Sequence, residues 1–384
     1  MVYDMIIVFV SNYFNHHQRP LCEALMPLCD SFFFIATTEM REERKKLGYA
    51  IEEPPYVIRA FVGDGADLAR RKLASADVVI RGSAAGEWSK PAYYGGKTVF
   101  FYSERIYKKG CKRWLLPFRA VQFYFKYLQR QNSLLLCASA YAAADFARTR
   151  TFLDRCFRWG YFPEKKQYDS TMLMANKNQK KILWCGRLLK LKHPEDAVET
   201  ARRLKAAGVD FSLDIIGEGE QLPTLENMIK AYGLGDRVRL LGVMSKEEVR
   251  THMEHAGIFL FTSDRREGWG AVLNEAMNSG CAVVTSHAAG AAPYLIRNGE
   301  NGMIYPSGDC DGIFTRVRNL LENPDLQRRM GTAAYQTILH MWNADLAAER
   351  FLALAEQALK GETRLDLFTE GPCSKAKLLS DNWM

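Results

Sequence analysis

Residues 267–275 read Glu267-Gly-Trp-Gly-Ala-Val-Leu-Asn-Glu275, and they join two stretches of different character. The apolar run Gly257–Thr262 before them is typical of a strand that is buried on both faces of a parallel sheet. The residues from Ala271 onward favour a helix, which Ser279 and Gly280 end. The stretch therefore predicts a strand–loop–helix corner, with Glu267 before the helix and Glu275 about two turns into it.

This corner has the chemistry of a ligand site. Gly268 and Gly270 allow a ligand to approach the backbone closely, and the free N–H groups of a helix start can bind phosphate oxygens. Carboxylates beside an anion site suit a ligand that also carries hydroxyl groups, as a nucleotide sugar does. Taken alone, the same residues are equally compatible with a surface helix that bears two solvated glutamates.

The alternation of strand and helix continues along the chain. From residue 180 onward, strands are predicted at 181–185, 211–216, 238–241, 257–262, 281–285 and 302–305, with helical stretches between them. Such spacing predicts right-handed βαβ units and a parallel sheet. Ligands of parallel sheets bind beyond the carboxyl ends of the strands, where most of the glycine-rich turns of this half fall. The first half is also α/β, with a less regular pattern.

Two domains are predicted for the 384 residues, of which 48% are hydrophobic. An N-terminal domain covers 1–163, a linker covers 164–180, and a C-terminal domain covers 181–361. The segment 362–384 is a tail that the pattern does not place. The boundary is set where the aromatic stretch Trp159–Pro163 gives way to a polar segment.

Composition limits the compartment and the class of protein. No run of 18 apolar residues occurs, so no transmembrane helix is predicted. The stretch Met1–Val10 lacks a basic region and a cleavage site, and it is typical of a first strand and not of a signal peptide. The nine cysteines are scattered, which indicates reduced thiols and no zinc site. We therefore expect a cytoplasmic protein.

The net charge of +8 is unevenly distributed. Residues 101–150 hold 10 basic and 2 acidic side chains, and residues 105–130, the basic aromatic segment, interleave cations with aromatic rings. This segment is compatible with an anionic membrane surface or with a groove for a lipid-diphosphate acceptor. It is equally compatible with core aromatics among solvated cations. Nucleic acid is disfavoured, because no recognition motif is present.

The motifs of the second half resemble those of the family 4 retaining glycosyltransferases. Five of them occur in order at predicted strand ends: Cys185-Gly-Arg-Leu-Leu-Lys-Leu-Lys192, Ile215-Ile-Gly-Glu-Gly219, Leu241-Gly-Val243, the Glu267 to Glu275 spacing, and Asn298-Gly-Glu-Asn-Gly302. The resemblance covers roughly residues 180–350. It implies the GT-B fold, in which two Rossmann-like α/β/α domains face each other across a cleft.

Two cations near one strand end, Arg187 and Lys192, can neutralise the charge on a leaving nucleoside diphosphate. The resemblance gives them the same role, and it implies that Glu275 binds the ribose, that Glu267 binds the donor sugar, and that no metal ion is needed. Glu267 therefore joins the two cations in the predicted catalytic set. Predicted donor-binding residues are Gly186, Gly217, Gly219, Val243, Gly268, Trp269, Gly270, Ala271 and Glu275.

Some alternatives remain open for the donor site. Gly217 and Gly219 are as compatible with a purely structural turn as with a ligand contact. Their Gly-x-Gly spacing also suggests a nicotinamide nucleotide, but the third glycine of that fingerprint is missing. We expect a nucleotide sugar as substrate and no cofactor, with a UDP-sugar favoured by its frequency in the family.

The first half departs from the family pattern. The stretch Ser11–Gln18 replaces the usual Gly-Gly loop, and the fourth strand ends at Glu104 and Arg105 where many members have a histidine. The acceptor-side candidates are therefore His16, His17, Glu104 and Arg105. The histidines are also compatible with a surface or helix-capping role, and Glu104 with an internal ion pair to Arg105 or Lys108.

Together these features predict a retaining glycosyltransferase that acts in surface polysaccharide or glycolipid assembly. Its expected partners are a nucleotide-sugar donor and a glycan or lipid-linked acceptor, with peripheral contact to the cytoplasmic membrane face through 105–130. Two alternatives share the fold: a nucleotide-sugar epimerase, and a catalytically silent sugar- or nucleotide-binding protein.

Overall fold

The structure, a computed structural model, describes residues 3–46, 51–83, 85–127 and 132–384. The chain forms two compact units. The first unit comprises 1–164 together with 343–383, and the second unit comprises 165–342. Within the described ranges, no helix is long and apolar enough to cross a membrane.

The first unit contains a parallel sheet of seven strands. These are β1 (Tyr3–Ser11), β2 (Cys29–Ala36), β3 (Val57–Arg59), β4 (Val78–Arg81), β5 (Thr98–Ser103), β6 (Ser133–Cys137) and β7 (Cys156–Arg158), in the order β3-β2-β1-β4-β5-β6-β7. The central strands are buried on both faces, as expected of a parallel sheet covered by helices on each side. The order reverses direction between β1 and β4, as in doubly wound folds.

Helices cover both faces of this sheet. Those in the first part of the chain are α1 (Arg19–Leu25), α2 (Glu42–Lys46), α3 (Gly65–Ser75), α4 (Gly86–Tyr94), α5 (Leu116–Tyr127) and α6 (Ala142–Ala147). One buried cluster joins side chains of β1, β4, β5 and β6 to α3, α4, α5 and α6. Val79, Phe101 and Leu135 lie at its centre, and none of them is more than 2% exposed.

The C-terminal segment returns to the first unit, which corrects the predicted division of the chain. The last helix, Ala344–Leu359, places Phe351 with its ring centroid 4.8 Å from that of Phe100 on β5. The tail beyond it bonds to β7, since Arg158 N–H donates to the carbonyl of Ser374 at 2.7 Å. The sequence pattern had extended the C-terminal domain to residue 361 because helical periodicity does not reveal which sheet a helix covers.

The second unit contains a parallel sheet of six strands. These are β8 (Asn178–Cys185), β9 (Ser212–Ile216), β10 (Val238–Leu240), β11 (Ala256–Phe261), β12 (Ala282–Ser286) and β13 (Met303–Tyr305), in the order β10-β9-β8-β11-β12-β13. All six predicted strands are confirmed, with small shifts of their bounds. The strand order reverses direction between β8 and β11, so the segments that follow these two strands meet at the same edge of the sheet.

The helices of the second unit follow the predicted alternation. They are α7 (Ser170–Ala175), α8 (Pro194–Ala206), α9 (Leu222–Ala231), α10 (Lys246–His255), α11 (Ala271–Asn278), α12 (Ala292–Leu295), α13 (Cys310–Glu322) and α14 (Pro324–His340), with the last helix of the chain, Ala344–Leu359, numbered α15. A capping box is present at the start of α10, where Ser245 and Glu248 bond reciprocally. The segment 164–180, predicted as a linker, contains α7.

Candidate functional site

The two turns at the reversal point of the second sheet carry the predicted catalytic residues. Residues 186–192 follow β8, and residues 262–270 follow β11. Lys192 from the first turn forms an ion pair with Glu267 from the second, and each side chain is 15% exposed. The ammonium group of Lys192 also lies 5.6 Å from the ring centroid of Phe261, at the end of β11. The sheet topology therefore brings together two residues that are far apart in the sequence.

Hydrogen bonds fix the Lys192 turn to the end of β11. The Thr262 hydroxyl donates to the carbonyl of Lys192 at 2.5 Å, and it accepts a hydrogen bond of 2.9 Å from the indole N–H of Trp184. Trp184 is itself buried in the core of the unit. The backbone of Lys192 is thus held by a buried chain of hydrogen bonds, while its ammonium group reaches Glu267.

Two further predicted residues keep their charged groups available. Arg187 is exposed, and its guanidinium group makes no hydrogen bond or ion pair within the described ranges. The carboxylate of half-buried Glu275 also lacks a hydrogen-bond partner among the described residues, and burial raises its pKa. Burial and the Glu275 charge raise the pKa of the Cys185 thiol to about 12, whereas the Lys192 charge lowers it. Lys192 and Glu275 therefore both lie near Cys185 at the end of β8.

The glycines of the β9 turn have a packing role. A Cβ atom on Gly217 would lie 1.9 Å from the carbonyl oxygen of Gly186, and one on Gly219 would lie 2.5 Å from that of Leu188. Both glycines have positive φ angles, 133° and 150°. The turns after β8 and β9 therefore contact each other backbone to backbone. The carbonyl of Gly242 continues the contact by accepting a hydrogen bond of 2.7 Å from Gly217 N–H, next to the exposed Val243.

The loop from Gly268 to Ala271 partly corrects the predicted donor contacts. Trp269 is fully buried, and its indole N–H donates to Asn274 at 2.9 Å, so its side chain is a core residue and not a ligand contact. Gly270 has φ 99°, and a Cβ atom there would lie 2.6 Å from the Phe261 ring. Because α11 begins at Ala271, Glu275 lies little more than one turn into the helix, and not two as predicted.

A second charged cluster adjoins Lys192. His193 contacts Glu195 at 3.0 Å and Asp264 at 3.2 Å. His193, Glu195 and Asp196 also place one ligand atom each within 4.8 Å of one another, which is the spacing that a bound metal ion needs. Both ring nitrogens of His193 already contact carboxylates, and burial raises the pKa of Asp196 to about 6. The geometry therefore favours an ion-pair cluster over a metal site.

In the first unit, three of the four acceptor-side candidates lie close together. The rings of His16 and His17 have centroids 3.9 Å apart, and His17 stacks on Tyr161 at 6.2 Å with an interplanar angle of 10°. The Tyr161 hydroxyl donates to Glu104 at 2.6 Å, and Lys108 forms an ion pair with the same carboxylate. Tyr161 thus connects the loop after β1 with the end of β5, and the sequence analysis did not identify it.

Arg105 is the exception among these candidates. Its side chain is 2% exposed, and it bonds to Asp145 at 3.3 Å and to Asp381 at 2.8 Å. The guanidinium also lies 4.8 Å from the ring centroid of Tyr141. These contacts give Arg105 a structural role, which corrects its placement at the acceptor. The two neighbours therefore have different surroundings, because Glu104 is 27% exposed and pairs with Lys108, whereas Arg105 is buried between two aspartates.

The basic aromatic segment divides between core and surface. Phe123 and Tyr127 on α5 are buried, whereas five large apolar residues are between 56% and 72% exposed: Trp114, Phe118, Val121, Tyr124 and Phe125. The interpretation of the segment as core aromatics among solvated cations is therefore wrong for Tyr124 and Phe125, which are exposed. Residues 128–130 of the segment lie outside the described residues.

Comparison with known proteins agrees with this geometry. Residues 169–337 match the family model described as glycosyl transferases group 1. The chain is 24% identical to N-acetyl-alpha-D-glucosaminyl L-malate synthase of Bacillus anthracis, over 52% of this chain and 49% of that protein. It is 34% identical to the amylovoran biosynthesis glycosyltransferase AmsK of Erwinia amylovora, over 41% of this chain and 39% of that protein. The matched region spans half or less of the length of these relatives.

One structural likeness extends over nearly the whole chain. The crystal structure of Anabaena Alr3699/HepE in complex with UDP-glucose superimposes with a TM-score of 0.64 at 15% identity, over 91% of this chain and 98% of that one. Two parallel-sheet α/β units together with this likeness define a protein of the GT-B fold. The second unit is thus similar, over residues 169–337, to the glycosyl transferases group 1. The predicted fold class is thus confirmed, and the predicted family resemblance is confirmed at the level of glycosyl transferases group 1.

Several residues of the two clusters were missed from the sequence. His193 follows Lys192 directly, and Asp264 stands three residues before Glu267, so position alone could have suggested both. Tyr161 gave no such signal, because it lies 57 residues from Glu104 and outside any motif.

Proposed function

We propose that this protein is a metal-independent, retaining glycosyltransferase that transfers a sugar from a nucleoside-diphosphate sugar to an acceptor hydroxyl. One observation carries the proposal. Where the turns after β8 and β11 meet, the Lys192–Glu267 ion pair shares the strand ends with Arg187 and Glu275, whose charged groups have no hydrogen-bond or ion-pair partner in the described part of the chain. A ligand that offers negative charge to the cations and hydroxyl groups to the carboxylates satisfies all four residues at once.

A nucleotide sugar has this combination of groups. Its diphosphate binds Arg187 and Lys192, its ribose hydroxyls donate to Glu275, and its sugar hydroxyls donate to Glu267. Lys192 and Glu267 neutralise each other in the structure, so the donor replaces one ion pair with two charge-assisted contacts. As the bond from the sugar to the diphosphate breaks, the two cations stabilise the charge that develops on the leaving group.

Retention of the anomeric configuration is part of this proposal. Glu267 is paired with Lys192 and is assigned to the sugar hydroxyls, so no carboxylate of the motif is left as a nucleophile. The acceptor hydroxyl is then proposed to attack from the face that the diphosphate leaves, and to transfer its proton to a phosphate oxygen of that leaving group. The two cations supply the charge neutralisation that a metal ion would otherwise provide.

The similar proteins support the choice of donor and of pathway. The similar Anabaena protein binds UDP-glucose, which supports a UDP-sugar as the donor here. The similar Erwinia protein is named for amylovoran biosynthesis, which supports a role in surface polysaccharide or glycolipid assembly. The acceptor is assigned to the first unit, where His16, His17 and Glu104 lie around Tyr161.

Peripheral contact with the cytoplasmic membrane face completes the proposal. The exposed aromatic residues of α5 follow the exposed cations Lys109, Lys112 and Arg113 closely in the chain. Aromatic rings favour the interface of a bilayer, and cations are attracted to anionic headgroups. This surface suits a protein that receives a lipid-linked acceptor at the membrane.

The test is an assay for release of UDP from UDP-sugars, with and without acceptor glycans and lipid-linked acceptors. We expect release that depends on the acceptor and persists in EDTA, and a product whose anomeric configuration by NMR equals that of the donor. Interconversion of UDP-sugars without an acceptor would favour an epimerase. Binding of UDP-sugars without turnover of any acceptor would favour a binding protein.

A further inference from the structure

His193 holds a bridging position between two parts of the second unit. Its Nδ1 lies 3.0 Å from a carboxylate oxygen of Glu195, and its Nε2 lies 3.2 Å from one of Asp264. An imidazole that contacts two acceptors can donate to both only when it is protonated. The hydrogen bond with Glu195 is the main cause that raises the pKa of His193 to about 9, so the ring is an imidazolium at neutral pH.

Asp264 connects the turn that carries Lys192 to the loop that carries Glu267. Its N–H donates to the carbonyl of Leu191 at 2.9 Å, and its carbonyl accepts from the N–H of Glu267 at 3.0 Å. Its carboxylate accepts from His193 and, at 2.6 and 2.9 Å, from Arg266. One residue therefore joins both turns through its backbone, and two cations hold its side chain in place.

We propose that His193 is a positioning residue that acts through Asp264. It keeps the Lys192 turn at a fixed distance from the Glu267 loop, and so keeps the diphosphate cation and the sugar-binding carboxylate at the spacing of the donor. The direct Lys192–Glu267 ion pair cannot do this in the complex, because both groups turn to the ligand there. The inference rests on the proposed function, in which Lys192 and Glu267 bind the donor.

A purely local role for His193 makes a different prediction. His193 is the N-cap of α8 and has a left-handed backbone with φ 48°. Asparagine tolerates this conformation better than most residues, and it is among the best N-caps. Its side chain is too short to reach both Glu195 and Asp264. His193→Asn therefore preserves the turn and the cap while it removes the bridge.

The experiment measures UDP affinity by calorimetry, donor KM and kcat, and the melting temperature of the full chain. The proteins are the wild type, His193→Asn, Asp264→Asn and the double variant. We expect each single variant to lose about fivefold in UDP affinity and in kcat/KM while it stays fully folded at the assay temperature. The melting temperature of His193→Asn should fall, because the variant loses the contacts of the imidazolium with Glu195 and Asp264. We expect the double variant to lose no more than the worse single variant, because residues that act as a unit are not additive.

Two controls separate this inference from the proposed function. His255→Asn changes an exposed histidine of the same unit, whose ring bonds the Thr251 carbonyl at 2.8 Å, and it should behave as the wild type. If His193→Asn matches the wild type while Arg187→Ala loses UDP binding, the inference is overturned and the proposed function stands. Additive losses in the double variant, or partial unfolding at the assay temperature that accounts for the lost affinity, would also overturn the inference. A wild type that binds no nucleotide sugar would overturn both.

Discussion

The two units share a topology but differ in what they place at the carboxyl ends of their strands. Both sheets reverse direction after three strands, as β3-β2-β1-β4-β5-β6 in the first unit and β10-β9-β8-β11-β12-β13 in the second. In the second unit, Arg187 and Glu275 keep their charges available at the reversal point. In the first unit, Glu104 and Arg105 are bound to neighbouring side chains. Among the described residues, the same backbone plan therefore leaves two charged groups without an ion pair at the strand ends of the second unit, whereas it pairs Glu104 and Arg105 internally in the first unit.

The charged side chains of the first unit also differ among themselves in their surroundings. Arg105 is neutralised by Asp145 and Asp381 inside the unit, whereas Lys109, Lys112 and Arg113 are exposed beside the aromatic residues of α5. Charges a few residues apart thus have different functions.

Removal of Arg105 should have the largest effect, on stability. Arg105→Ala leaves the buried carboxylate of Asp145 without its cation, and loss of one partner of a buried ion pair costs about 3–5 kcal/mol. The free energy of unfolding from urea titration should fall by this amount. The control Arg113→Ala changes an exposed cation and should leave it nearly unchanged. An equally small effect of both variants would show that the first unit does not depend on its internal pairs.

Removal of three exposed cations should act on membrane binding alone. Each cation near an anionic surface adds about 1 kcal/mol of attraction, so neutralising Lys109, Lys112 and Arg113 together should abolish sedimentation with anionic liposomes. Lys108 is left in place because it pairs with Glu104. UDP affinity should not change.

A matched triple variant of the second unit, with Lys230, Arg328 and Arg329 neutralised, should still sediment with the liposomes. High salt should release the wild type, because screening acts within about 10 Å at 0.1 M. Equal loss in both triple variants would mean that overall charge, and not the α5 surface, is responsible.

Removal of a donor-site charge should weaken nucleotide binding. A charge-assisted contact contributes about 1.5–3 kcal/mol, so Arg187→Ala and Glu275→Ala should each weaken UDP affinity roughly tenfold or more. The first-unit variant Glu104→Ala should leave UDP affinity unchanged, because its carboxylate belongs to the network around Tyr161. Calorimetry gives all three affinities. Unchanged affinity in both second-unit variants would break the assignment of the donor site.

The second-unit site could be predicted because its signals are local. Each motif joins one strand end to one helix start, and the parallel topology then brings the strand ends together. Lys192 and Glu267 were predicted to belong to one site by this rule although 75 residues separate them, but their ion pair was not predicted. Trp269 shows the limit of this rule, because a residue inside a motif can have its side chain packed in the hydrophobic core.

The first-unit network could not be predicted, because its partners are distant and lie in no motif. Arg105 bonds to Asp145, 40 residues away, and to Asp381, 276 residues away. The second of these contacts exists only because α15 and the tail return to the first unit. Helical periodicity indicated a helix there but not the sheet that it covers, so the domain boundary and the role of Arg105 were missed together.

The smallest expected effect concerns pH and the bridge of His193. Hydrogen bonding with Glu195 raises the pKa of His193 to about 9, above its ordinary value of 6.5. The native state therefore binds this proton more tightly than the unfolded chain does. The stabilisation is fully present below about pH 6.5, and it is lost as the pH rises through about 9. The unfolding free energy of the wild type minus that of His193→Asn should thus shrink between pH 7 and 9.5. The charged groups that act on the ring are Glu195 and Asp196 from α8 and Asp264 from the loop after β11. Arg266 bonds to Asp264, and the charge of Lys190 acts on Glu195. Of the carboxylates, Asp196 has a pKa of about 6, raised by burial, which lies below this window. A difference that stays constant across the window would mean that the ring is not held as an imidazolium.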